Sequence, residues 1–133
     1  MDPVHAIANL KARYCAAADS APDDEAGARA AMAEIFTADA SGDYGFGPLN
    51  GAGALAEYLC TAIAGNSEWL LHMLHSPWIE IDGETAVGRW TVLVHLKRHE
   101  SGAIDVVRGR YTDRFRWVDG AWRISEIGFS RRE

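Results

Sequence analysis

The sequence predicts an α+β domain, with helices leading and a curved antiparallel sheet following. Through residue 64 apolar residues recur at helical spacing, with an alanine-rich second helix. After Gly65-Asn66 the chain turns rich in Val, Ile, Thr and Trp. Four such runs are separated by Asp82-Gly83, Ser101-Gly102 and Asp119-Gly120, x-Gly pairs that favour tight hairpins. Helices first and strands afterwards place the helices on one face of the sheet.

Each element has its own signal. Asp2-Pro3 supplies a cap and a proline at the first helical position. Ile7, Leu10, Tyr14 and Ala17/Ala18 then continue a helix over 3–18. Ser20-Ala21-Pro22-Asp23 breaks it and caps a second helix over 23–34. Phe36 to Ala40 leads into a short strand over 41–44. The glycine-bearing loop Gly45 to Gly53 precedes a third helix over 52–64. The strands of the meander are expected at 70–81, 85–98, 103–117 and 121–129.

Composition sets outer bounds. A chain of 133 residues, 48% hydrophobic and 24% charged, fits one domain over 1–133. The net charge of −6 argues against a nucleic-acid surface. MDPVHAIANL lacks the features of a signal peptide, and no run approaches the ~18 apolar residues of a membrane span. A cytoplasmic protein without membrane or nucleic-acid partners is expected. Cys15 and Cys60, far apart and outside any CxxC pair, read as reduced, buried thiols.

The stretch LLHMLHSPW raises the question of chemistry. On a helix His72 and His75 would share a face and could share a metal; on a strand they point oppositely. The strand composition of 68–81 favours the second case, so no metal site is expected. His72 then sides with Leu70 and Leu74, and His75 with Trp69, Leu71 and Met73. In the third strand Tyr111, Asp113 and Phe115 alternate against Arg110, Thr112, Arg114 and Arg116. Asp113 is thus an acid on the apolar face, needing a donor or a raised pKa. By the same alternation His95 falls with the polar set of its strand. Asp19, ending the first helix, suits a turn or cap bond. Tyr14 lies on the apolar stripe.

Taken together, LKARYCAAAD (10–19), EIFTADA (34–40), HMLHSPWIEIDGETAVGRW (72–90) and GRYTDRFRWVDGAWRI (109–124) resemble the SnoaL-like branch of the nuclear transport factor 2-like superfamily. The resemblance implies a cone-shaped α+β barrel, three helices closing a curved antiparallel sheet around an apolar pocket. Its dehydratase-type members use an Asp–His pair across the cavity. Asp19 and His72 fall where that pair belongs. Tyr14 matches the pocket tyrosine of the bile acid dehydratase pattern. Tyr44 and His95 fall at the substrate-side tyrosine and second histidine of scytalone dehydratase. Tyr111 departs from that pattern, which has an asparagine there, and no secure counterpart is found for a C-terminal arginine that other members use.

The resemblance therefore implies a lyase or isomerase that needs no metal or organic cofactor and acts on a small apolar, cyclic or polyketide- or steroid-like substrate. His72 would be the base, Asp19 its orienter, Tyr14 and Tyr44 hydrogen-bond donors, and His95 an auxiliary acid. Two alternatives stay open. One is a non-catalytic binder of the same fold. The other is an epoxide hydrolase drawing on Arg89, Asp113 and Asp19. A homodimer or homotrimer is expected from the arginine- and tryptophan-bearing sheet.

Overall fold

The computed structural model describes residues 2–133. Helix α1 (Pro3–Ser20) starts where Asp2 accepts the Val4 N–H, and α2 (Glu25–Ile35) starts where Asp24 accepts that of Gly27. Strand β1 (Phe36–Asp43) follows α2 without a turn, because Phe36 caps the helix in extended conformation. The strand thus begins at Phe36, five residues before the expected Ser41; burial of Phe36 and Ala40 commits FTADA to the sheet. A three-residue β2 (Pro48–Asn50), unmarked in the sequence, folds back on β1. Next come α3 (Ala52–Glu57), a π-helical turn (Tyr58–Ala62) and a last turn, α4 (Ile63–Gly65). Then the meander runs through β3 (Ser67–Asp82), β4 (Thr85–Arg98), β5 (Ile104–Val118) and β6 (Ala121–Arg132).

The six strands form one sheet in the order β2-β1-β6-β5-β4-β3. The meander is antiparallel as expected, but β1 pairs with β6 in parallel, so the sheet is mixed. It is also not closed: β2 and β3 are its edges, giving an open cone in place of a complete barrel. Helices and concave sheet face share one core, in which Ile7, Leu10, Met32, Leu55, Phe115, Ile124 and Ile127 are buried. Each such side chain contributes about 1.5–3 kcal/mol through burial. On the other side the arginine row of β5 is exposed apart from half-buried Arg116, which donates to Thr37 at 3.1 Å and pairs with Asp39, stapling β1. No helix among the described residues is long and apolar enough to cross a membrane.

One ion pair lies inside this core. Lys11 and Asp113, both wholly buried, stand 2.8 Å apart. Their angle is poor for a hydrogen bond, and neither Lys11 Nζ nor the Asp113 oxygens find another side-chain partner among the described residues. The ammonium is instead caged by rings, 3.4 Å from the centre of Tyr111 and 4.0 Å from that of Tyr14. Burial pulls the Lys11 ammonium below its usual range, opposed by Asp113, and pushes the Asp113 carboxyl up, opposed by Lys11. Asp113 thus has a compensating charge at its buried position. Lys11 itself was not foreseen, although it holds the i+4 place from Ile7 on the stripe of α1.

Removing either partner leaves a buried charge without compensation, whereas two apolar residues can fill the same space. Lys11→Met is expected to lose about 3–5 kcal/mol in denaturant unfolding, and the Lys11→Met/Asp113→Leu double variant to regain most of it. In the single variant the Asp113 carboxyl is raised in the folded state. Its stability is then fully present below the ordinary carboxylate range and lost as pH rises through the folded value. The deficit of Lys11→Met should therefore shrink on acidification.

Candidate active site

Strand alternation decides what enters the cone. On β3, Leu70 and His72 turn inward, while His75 is exposed on the outer face beyond them. The ladder to β4 runs unbroken from Trp69 to His75, and a bulge follows, where Ser76 takes a positive φ of 52° before Pro77. His72 therefore keeps the face that its sequence position assigns.

Because β3 is an edge strand, its outer N–H groups lack a neighbouring strand. The last turn of α1 supplies the partner. The Asp19 carboxylate accepts the His72 backbone N–H at 3.0 and 3.2 Å, and Asp19 Oδ1 lies 2.6 Å from His72 Nδ1. A carboxylate already accepting through both oxygens makes Nδ1 the donating nitrogen, so Nε2 is the one left for chemistry. The side chains are 8% and 19% exposed for His72 and Asp19, which shields their contact from water.

His72 lines a cavity of about 360 Å³, and Asp19 sits behind it, off the wall. Tyr14 and Ala18 of α1, Tyr44 at the end of β1, and Tyr58, Leu59, Ala62 and Ile63 around the π-helical turn complete one side. Leu70, Val94, Leu96, Val107, Tyr111 and Phe129 form the sheet side. Gly109 permits this packing: a Cβ there would lie 2.3 Å from the Ser130 carbonyl and 2.8 Å from the Phe129 ring. The Tyr14 and Tyr44 hydroxyls meet at 2.6 Å, and the Tyr14 ring stands edge-on to His72 with centroids 6.5 Å apart. Burial above all pushes both hydroxyls well above the usual phenol range, so near neutral pH they are protonated donors.

The structure thus brings Asp19, His72, Tyr14 and Tyr44 together, but not His95. β4 has no bulge against β5, so alternation puts Val92, Val94 and Leu96 inward and His95 outward. Its ladder partners are Leu71 and Val106, both exposed, and it cannot serve as an auxiliary acid in this cavity. The epoxide hydrolase constellation does not assemble either, since Asp113 is taken by Lys11 and Arg89 is exposed away from the cavity. Sequence reasoning passed over Tyr58, Arg98 and Phe129, and set Arg131 aside as no secure counterpart of the C-terminal arginine that the resemblance implies, yet Arg131 lines the cavity. For Arg98 the signal was present, as the next inward residue after Val92, Val94 and Leu96.

Among the described residues no group of three or more His, Cys, Asp or Glu is placed to hold a metal ion. The thiols are poor nucleophiles: burial pushes that of Cys15 up to about 12, and that of Cys60 up as well. Both cysteines are buried. Cys15 should resist alkylation by iodoacetamide at pH 8 in the folded protein and react fully once unfolded in urea, as mass spectrometry can show.

This cone with a side-chain-lined cavity is that of the SnoaL-like domain, whose family model matches residues 2–127. The chain belongs to that family. Among solved structures it is similar to a nuclear transport factor 2-like superfamily protein from Salmonella enterica, at 19% identity and a TM-score of 0.87, covering 98% of this chain and 91% of that one. A candidate scytalone dehydratase from Novosphingobium aromaticivorans gives 19% identity and a TM-score of 0.85, over 97% of this chain and 83% of that one. The hexachlorocyclohexane dehydrochlorinase LinA-type3 of Novosphingobium barchaimii gives 18% and 0.82, over 97% and 86%. At these identities the likeness shows the fold.

Proposed function

We propose that the protein is a cofactor-independent lyase of the dehydratase type, acting on a small cyclic substrate. The observation that carries this is the 2.6 Å contact between Asp19 Oδ1 and His72 Nδ1 behind an apolar cavity. His72 Nε2 takes the proton from a carbon next to a carbonyl, and the electron pair moves into an enolate. Asp19 stabilises the imidazolium so formed. The Tyr14–Tyr44 hydroxyl pair donates to the enolate oxygen. As the enolate collapses, hydroxide leaves the β-carbon and takes the proton back from His72, so enone and water depart with the enzyme unchanged. The eliminating activities named for two similar structures, a dehydrochlorinase and a candidate dehydratase, support this reading.

A bicyclic β-hydroxy ketone is a suitable probe, followed through the absorbance of its enone. The wild-type protein should accelerate water loss, His72→Ala should abolish the effect, and Asp19→Asn should lower kcat on the order of 10²–10⁴-fold. Activity that survives in His72→Ala overturns the mechanism. A wild-type protein that binds the ketone without turnover is a binding module instead.

Self-assembly belongs to the same proposal. The sheet strands expose Trp69, Leu71, Trp78, Ile104, Val106 and Trp117, apolar side chains that a second copy of the chain would cover. Light scattering should give the mass of a homodimer or homotrimer, and the mass of a single chain contradicts assembly.

A further inference from the structure

The cavity wall has a charge of one sign. Among the described residues that line it there is no Asp or Glu, yet it carries two guanidiniums, Arg98 and Arg131, besides His72. This is unusual placement in a chain with 19 acidic and 13 basic residues. The other polar groups of the wall are mostly engaged. Asn66 Nδ2 donates to the Ala62 carbonyl, Ser67 Oγ to that of Ile63, and the Tyr14 and Tyr44 hydroxyls bond each other.

Arg98 is the better held of the two arginines. Its Nε donates to Asp105 at 2.7 Å across the β4–β5 hairpin, which fixes the guanidinium plane and leaves both terminal nitrogens for a ligand. Arg131 has a looser tie, 3.5 Å to the exposed Glu133 near the end of β6. Position sets the distance from the base. His72 pairs with Val94, and Arg98 lies four residues further along β4, roughly 13 Å at strand rise. A group held there is separated from the reacting carbon by the body of a ring system.

We propose that the substrate of this cavity is a carboxylate: an apolar ring body lodged between the tyrosines and the sheet, with its anionic end bound by Arg98 and further attracted by Arg131. This rests on the lyase reading for the site of reaction, and adds to it the charge and layout of the substrate. A guanidinium with two free terminal nitrogens matches a carboxylate in a paired, charge-assisted contact that an ester cannot offer. Pre-fixing by Asp105 removes part of the ordering cost of that contact.

The test compares 2-naphthoate with its methyl ester, titrated against the full chain while His72 ring resonances are followed by NMR. Naphthoate should bind about 10-fold or more tightly than the ester, and raised salt should erode the difference. Arg98→Gln should remove most of that preference and Arg131→Gln a smaller part, with ester affinity unchanged in both. Both arginines are part-exposed, so the variants should fold, and an unaltered Tm shows that they do. An ester that binds as well as the acid, a preference that persists in the double variant, or no saturable naphthoate binding at millimolar concentration overturns the inference. Its failure is separable from that of the lyase reading. Turnover of the neutral hydroxy ketone without acid preference sinks this inference alone, and acid-selective binding without any turnover sinks only the lyase.

Discussion

The contact between the end of α1 and the edge strand β3 organises the molecule. Asp19 does two things with one carboxylate: it satisfies the His72 backbone N–H that an edge strand leaves open, and it receives His72 Nδ1. The first fixes where the helix ends against the sheet; the second fixes the imidazole. The cavity depends on that registration, because Tyr14 and Ala18 on the same helix form its inner wall. An Asp there serves structure and chemistry at once, so an Asp19→Asn change keeps an acceptor for the backbone while removing the charge.

Beneath the cavity lies a second polar contact of different character. Lys11 and Asp113 are sealed among Tyr14, Tyr111 and Trp90, where Coulomb attraction must offset the loss of water around both charges. Two of those rings, Tyr14 and Tyr111, also line the cavity. The pair thus braces the floor under the tyrosines without touching the space above it. Stability in this region and order at the site are therefore linked through the same rings.

Much of this was legible in the sequence. The alternation of β3 makes His72 and His75 diverge, and that of β5 marks Asp113 as an acid on the apolar face. The bounds of β4 follow from its flanking turns, since Asp82-Gly83 and the segment ending at Ser101-Gly102 both stop the ladder. What pattern could not supply was long-range pairing. The parallel contact of β1 with β6 joins segments about 85 residues apart and leaves no local mark. The π-helical turn at Tyr58–Ala62 reads as ordinary helix, because its extra residue is a matter of backbone hydrogen bonding, Ile63 N–H to the Tyr58 carbonyl. His95 shows the opposite case: alternation alone placed it on the polar face, where the structure has it, and resemblance had drawn it inward.

The central claim is that Asp19 holds the His72 imidazole with Nδ1 protonated and Nε2 free toward the cavity. Nitrogen-15 NMR of the histidine side chains tests it directly, because the two ring nitrogens have distinct shifts in each tautomer. The neutral ring of His72 should carry its proton on Nδ1, with a strongly downfield Nδ1–H signal that disappears in Asp19→Asn. A His72 ring protonated on Nε2, or a spectrum that the Asp19→Asn change leaves untouched, would contradict it.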